Sequence, residues 1–143
     1  MPDDANASCR ILLVEDNAVN RTIAMKLLEK RGHVVIAVEN GALAVDLTAR
    51  ERFDVVLMDI QMPVMDGLTA TATIRERELG TGAHVPIIAV TAHALEEDRA
   101  RCFAAGMDDY LPKPIRSGDL FEKVARFAPA AAAVATAPVA AAM

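Results

Sequence analysis

Aromatic side chains are scarce: no Trp, one Tyr and four Phe make 3% of 143 residues. A core drawn from this chain must be aliphatic. Basic runs are absent, and 15 Lys+Arg against 20 Asp+Glu leave a formal net charge of −5. That balance argues against a nucleic-acid binder, which would present a basic patch. The two cysteines, Cys9 and Cys102, are too few for a disulfide scaffold and read as reduced thiols of a cytoplasmic protein. No run suits a bilayer: the uncharged stretch from Phe127 to Met143 is 17 residues long, mostly Ala, and interrupted by Pro129 and Pro138. The first residues, Met1 to Asn6, are acidic and lack the apolar segment of a signal peptide. Neither a GxGxxG turn nor a P-loop lysine is present, so nucleotide binding has no support.

What is present is aliphatic. Apolar residues make 53% of the chain, but 10 of the 28 alanines fall in the last 16 residues, so part of that figure is tail and not core. The length fits one domain. The chain therefore divides into a lead over 1–9, a domain over 10–127, and an Ala/Pro-rich tail over 128–143 that reads as a linker or frayed, disordered end.

Within the domain, five short apolar runs alternate with amphipathic stretches. The runs are Arg10 to Val14, His33 to Val38, Asp54 to Met58, Val85 to Val90, and the weaker Asp108 to Leu111. Consecutive apolar, β-branched residues suit strands buried on both faces. Between them, Ala18 to Arg31 carries Val19, Ile23 and Leu27 four apart, with Leu28 beside them, as an expected buried stripe ended by Gly32 at C′. Gly41 to Arg52 repeats the spacing with Leu43, Ala44 and Leu47. Leu68 to Leu79 is a weaker, Thr-rich helix closed by Gly80 and Gly82. Leu95 to Ala105 is expected to bury Cys102 and Phe103 and to stop at Gly106. Ser117 is the expected N-cap of a last helix whose stripe is Leu120, Phe121, Val124 and Phe127. Five strand–helix alternations mean an α/β fold: a doubly wound, five-stranded parallel sheet covered by helices on both faces. Ligands of such sheets bind beyond the carboxyl ends of the strands.

At those ends stand Glu15 and Asp16 after the first run, Asp59 after the third, Thr91 after the fourth, and Lys113 after the fifth. Three carboxylates gathered together are electrostatically costly without a cation. An all-oxygen set points to a hard ion, Mg²⁺, which takes few protein carboxylates and leaves positions for water and phosphate oxygens. Three carboxylates, one divalent cation and one ammonium sum to zero formal charge. Such a site suits a phosphoryl group on a carboxylate, with Asp59, alone at its strand end, as nucleophile and an aspartyl phosphate as product. Asp54 and Asp66, at a strand start and in a turn before Gly67, read as structural. The histidines His33, His84 and His93 lack ligand spacing and read as surface or edge residues.

The segments Leu13-Val14-Glu15-Asp16-Asn17, Met58-Asp59-Ile60-Gln61-Met62-Pro63-Val64-Met65-Asp66-Gly67, Val90-Thr91-Ala92 and Tyr110-Leu111-Pro112-Lys113-Pro114 resemble the receiver domain of two-component response regulators. The resemblance runs from about Arg10 to Phe127. It implies the flavodoxin-like (βα)5 fold with strand order 2-1-3-4-5. It implies that Asp59 is the phosphoacceptor, Asp16 a direct Mg²⁺ ligand, Glu15 its partner, and the Gln61 backbone carbonyl a further ligand. Thr91 looks like the switch hydroxyl, Lys113 like the lysine that pairs with a phosphoryl oxygen, and Tyr110 like the switch aromatic. The Lys113–Pro114 bond is expected to be cis. Asn17, Asn20, Gln61 and the stretch from Ala105 to Tyr110 look most like receivers of hybrid sensor histidine kinases, or free single-domain regulators.

The function so implied is a two-component phosphorelay: acceptance of a phosphoryl group from a phosphohistidine onto Asp59 with Mg²⁺, followed by a conformational switch that alters partner binding. The domain would contribute chemistry to its own phosphorylation and dephosphorylation without being a turnover enzyme. The alternative is a relay or sink toward a histidine phosphotransfer protein, as a receiver cut from a hybrid kinase. Implied partners are a sensor histidine kinase, a histidine phosphotransfer protein and a downstream protein, with no nucleic acid and no membrane, the domain being a monomer or weak dimer in the cytoplasm.

Overall fold

The computed structural model describes residues 9–60, 65–92 and 96–127. Residues 1–8 of the lead, Gln61, His93 and the tail over 128–143 lie outside the described residues. The strands are β1 (Arg10–Val14), β2 (Val34–Val38), β3 (Val55–Asp59), β4 (Ile87–Thr91) and β5 (Asp109–Pro112). The helices are α1 (Ala18–Lys30), α2 (Gly41–Arg50), α3 (Gly67–Glu78), α4 (Glu96–Ala105) and α5 (Ser117–Phe127). All strand pairs are parallel, in the order β2-β1-β3-β4-β5 that the resemblance implies.

Alternation along each strand sorts the core into two layers. Ile11, Leu13, Val55, Leu57, Ile88, Val90 and Leu111 face one side, where Ala24 and Leu28 of α1 and Leu120 and Val124 of α5 cover them. Leu12, Val14, Val56, Met58, Ile87 and Ala89 face the other, under Ala44 of α2, Ala70 and Ile74 of α3 and Cys102 of α4. Both faces of the central strands are thereby dry, which is why β3 and β4 are buried at every position.

The helix ends follow local chemistry. Asn17, Asn40 and Asp66 cap α1, α2 and α3 by accepting the N–H of Asn20, Leu43 and Thr69. Gly32, at φ 90°, closes α1 with its N–H on the Glu29 carbonyl and the His33 N–H on that of Leu28, the paired bonds of a Schellman ending. In α5 the helix begins on Ser117 itself, and the Arg116 carbonyl accepts the Leu120 N–H, so the cap lies one residue before the expected Ser117.

In three helices some residues of the expected buried stripe point outward, although Leu28, Ala44 and Cys102 are buried as expected. Val19 and Ile23 are 66% and 53% exposed, and α1 instead presents Ala24 and Leu28 to the sheet. Leu43 and Phe103 also face outward, while their neighbours Ala44 and Cys102 are buried. In each case the smaller residue faces the sheet, which lets the helix backbone approach it closely.

Candidate functional site

Register carries the chemistry to one edge. Val14 pairs with Met58, and Asp59 with Val90, so Glu15, just past β1, stands level with Asp59 at the end of the neighbouring β3. Alternation places Glu15 on the side of Leu13, Asp59 on the side of Leu57, and Lys113 on the side of Leu111, which is the α1/α5 layer in every case. The three side chains therefore converge. The Lys113 Nζ donates to Asp59 Oδ2 at 2.9 Å and stands 3.3 Å from Glu15 Oε1. Asp16 joins them from the loop: one carboxylate oxygen from each of Glu15, Asp16 and Asp59 lies within 4.8 Å of the others.

Burial sets the electrostatics. Glu15 and Asp59 are 4% and 2% exposed, whereas Asp16 is exposed. Burial pushes the Glu15 carboxyl above its ordinary range, the Asp59 charge adds to this, and the Asn17 N–H and Lys113 oppose it. Burial alone would lower the Lys113 ammonium, but the hydrogen bond and charge of Asp59, then Glu15, outweigh it and hold its pKa above the usual value. At about 4 Å and an effective dielectric of about 20, each charge pair is worth roughly 4 kcal/mol. Three repulsive carboxylate pairs against the contacts of a single ammonium leave a surplus of negative charge. A divalent cation fits this all-oxygen donor set and that surplus.

The β1–α1 loop is held from several sides. Glu15 N–H bonds the Val38 carbonyl at 3.0 Å, and Asn17 N–H bonds Glu15 Oε2 at 3.1 Å. Arg21 donates to the carbonyls of Glu15 at 2.8 Å and Asp16 at 3.4 Å. Sequence reasoning missed Arg21, although its place in the first turn of α1, five residues after Asp16, puts it within reach of the loop. Thr91 is 2% exposed at the end of β4, and its carbonyl accepts the Lys113 N–H at 2.7 Å. The Lys113–Pro114 peptide is cis, as expected. Tyr110 lies farther back, paired with Ala89. The structure thus brings Glu15, Asp16, Asp59 and Lys113 together, sets Thr91 beside them through the backbone, and leaves Tyr110 one layer away.

A groove of about 410 Å³ opens beside the acids, lined by Glu15, Lys113 and Ala92 and by Ile23, Leu27, Pro114 and Ile115. The exposed apolar face of α1 thus borders the charged site. A larger hollow, about 670 Å³, lies at the opposite edge around Phe53, Val85 and Pro86 and contains none of these residues.

The sequence profile of the response regulator receiver domain matches residues 11–125. The sensor protein GacS of Pseudomonas syringae pv. syringae is 42% identical over 127 residues, covering 88% of this chain and 14% of that kinase. The receiver domain of the sensor histidine kinase PA1611 from Pseudomonas aeruginosa PAO1, solved with a magnesium ion coordinated in its active site cleft, is 45% identical with a TM-score of 0.77, over 85% of this chain and 98% of that one. The receiver domain of the Saccharomyces cerevisiae response regulator Ssk1, solved with the histidine phosphotransfer protein Ypd1, superimposes with a TM-score of 0.81 at 30% identity, over 85% and 89%. The chain spans only a small part of the curated kinases it matches, 7% of one from Dictyostelium discoideum.

Proposed function

The chain belongs to the response regulator receiver domain family, and from that premise we propose that Asp59 is its phosphoacceptor. The observation that carries this is the 2.9 Å bond from the Lys113 Nζ to Asp59 Oδ2, made at the centre of the carboxylate cluster. In the step, an Asp59 carboxylate oxygen attacks the phosphorus of a phosphohistidine. The O–P bond forms as the P–N bond breaks, and the electron pair leaves on the imidazole nitrogen. The Lys113 ammonium lies where a phosphoryl oxygen on Asp59 would meet it, and the Thr91 hydroxyl is the candidate partner of a second oxygen.

Glu15, Asp16 and Asp59 would hold Mg²⁺, with the Gln61 carbonyl, outside the described residues, as a further ligand. When bound, the ion neutralises charge on the phosphoryl oxygens. The product adds roughly −1.5 to −2 charge to the strand end. That charge is the bias that would draw Thr91 and Lys113 toward the site and shift the domain between two conformations. The domain acts as a signalling acceptor and not as a turnover enzyme on an outside substrate.

A relay role, in which the donor or recipient is a histidine phosphotransfer protein, is favoured by the exposed apolar face of Val19 and Ile23 beside the groove. A protein carrying a histidine must dock next to Asp59, and this face offers it apolar area at the rim of the site. Similarity to the Ssk1 receiver, solved with Ypd1, supports the same reading.

Intact mass after incubation with acetyl phosphate and Mg²⁺ tests the proposal. The wild type gains one phosphoryl group; Asp59→Asn gains none, and chelation of the metal abolishes the gain. A wild type without the gain, or a mutant with it, overturns the assignment.

A further inference from the structure

Asp16 is the exposed member of the three carboxylates, and among the described residues its side chain makes no hydrogen bond or ion pair. Its direction is therefore set by its own backbone, through the two peptide planes that flank its Cα. Arg21 grips both planes. The Nη1 of this half-buried side chain donates to the Glu15 carbonyl at 2.8 Å, in the plane before Asp16, and to the Asp16 carbonyl at 3.4 Å, in the plane after it. The second plane is held at its other end too, where the Asn17 N–H donates to Glu15 Oε2 at 3.1 Å. Arg21 itself stands on a fixed base, because its own N–H bonds the Asn17 carbonyl at 2.9 Å in the first turn of α1. Among the described residues the guanidinium makes no ion pair, so its grip falls on main chain alone.

We propose that Arg21 is a positioning residue that presets the Asp16 carboxylate for the divalent cation, which rests on the reading of Glu15, Asp16 and Asp59 as the carboxylates that hold Mg²⁺. Two effects of the guanidinium have opposite signs. As a positive charge beside a cation site it repels the ion, so loss of the charge alone would tighten binding. As the holder of both planes it removes the cost of ordering an exposed carboxylate, so loss of the grip weakens binding. Water and salt screen the first effect around a group that is partly exposed. Partners that orient a metal's ligands are worth about 10–100-fold in affinity, so the second effect wins. Asp16 is where it acts, because burial and Lys113 already fix Glu15 and Asp59.

The sign of the change makes the test decisive. The full chain, as wild type, Arg21→Met, Arg21→Gln and Arg21→Lys, is titrated with magnesium chloride alone, and the amide resonances of Asp16 and Asn17 report binding. Arg21→Met and Arg21→Gln lose the charge together with the reach of the donor, and each is expected to raise the dissociation constant for Mg²⁺ about tenfold. Arg21→Lys keeps a cationic donor on a long stem and recovers most of that loss. In acetyl phosphate labelling, the Mg²⁺ concentration for half-maximal rate rises by the same factor, while the rate at saturating Mg²⁺ stays within about twofold of wild type. Binding by Arg21→Met or Arg21→Gln that is as tight as wild type, or tighter, overturns the proposal. So does a lysine variant as weak as these two, or a fall in the saturated rate with an unmoved half-maximal concentration. A wild type without Mg²⁺-dependent shifts overturns the metal reading instead, and one that binds the ion but gains no phosphoryl group overturns the phosphoacceptor reading, so the failures are distinct.

Discussion

Gly67 lies so close to Asp59 that a Cβ on the glycine would stand 2.3 Å from the Asp59 carbonyl oxygen and 2.8 Å from the Ile60 Cα. The first residue of α3 is pressed against the end of β3, and only hydrogen fits between them. Backbone, and not a flexible side chain, supplies the obstruction, so it cannot yield cheaply. Gly67→Ala is therefore expected to cost about 1–3 kcal/mol of folding stability and to displace the nucleophile. Urea unfolding should show the lower midpoint, and acetyl phosphate labelling a slower gain of mass. A variant with wild-type stability and labelling would show that the contact has room to relax.

Lys113→Ala leaves Asp59 and Glu15 without the ammonium now 2.9 and 3.3 Å away. Loss of one preorganised donor at a developing charge costs on the order of 10²-fold or more in rate. Initial rates of mass gain at saturating Mg²⁺ measure this. An unchanged rate removes Lys113 from the chemistry.

Ile23→Ser separates docking from chemistry. The residue is 53% exposed on the rim of the groove and touches neither the carboxylates nor Lys113 in any hydrogen bond or ion pair. Labelling by acetyl phosphate should stay at the wild-type rate, while transfer from a phosphorylated histidine phosphotransfer protein should fall by about tenfold or more, as for truncation of an interface anchor. Equal loss with both donors would place the defect in the site itself.

Away from the site, Arg75 holds together the joint between α3 and the loop entering β5. Its guanidinium donates to the Gly106 carbonyl at 2.8 Å, to Glu78 at 2.7 Å and to Asp108 at 2.7 Å, and Asp108 in turn holds His84 and the Ile87 N–H. The guanidinium is 15% exposed and its two carboxylate partners 14% and 22%. Arg75→Met strips two mostly buried carboxylates of their cation and is expected to cost roughly 3 kcal/mol, read as a lower urea midpoint with phosphoryl acceptance retained. An unfolding free energy within about 0.5 kcal/mol of wild type would reduce the cluster to an ordinary surface network.

His33 gives stability a measurable pH slope. Its Nδ1 accepts the Cys9 N–H at 3.0 Å, a bond that only the neutral ring can make. Burial, reinforced by the Arg31 charge, lowers its pKa from 6.5. Below that value the unfolded chain binds the proton more readily than the folded one, so stability falls as pH drops through this range. The contribution is whole above 6.5 and is lost progressively toward the depressed native value. His33→Asn keeps an acceptor without the titration. The stability difference between wild type and mutant should therefore shrink from about pH 7.5 to about pH 5, and a constant difference would refute it.

Much of this was legible in the chain because consecutive apolar residues ending abruptly in acids mark strands buried on both faces. Glu15, Asp16, Asp59 and Thr91 were placed at one edge by that pattern alone. The faces of the helices were legible only in part: Leu28, Ala44, Cys102, Leu120 and Val124 are buried as expected, whereas Val19, Ile23, Leu43 and Phe103 are exposed. Hydropathy ranks Ile23 above Ala24, Leu43 above Ala44 and Phe103 above Cys102, yet the smaller member of each pair faces the sheet. Close approach of a helix backbone selects small side chains there, and a spacing rule that weighs only hydrophobicity cannot see it. The Arg75–Asp108–His84 grouping joins residues far apart in the chain and leaves no periodic trace.

The 2.7 Å bond from the Lys113 N–H to the Thr91 carbonyl fastens the residue that follows β5 to the last residue of β4. A pull on either is a pull on both, as with two hands on one rope. Because the bond is made by the main chain, replacing either side chain leaves it in place, and each residue goes on holding the backbone of the other.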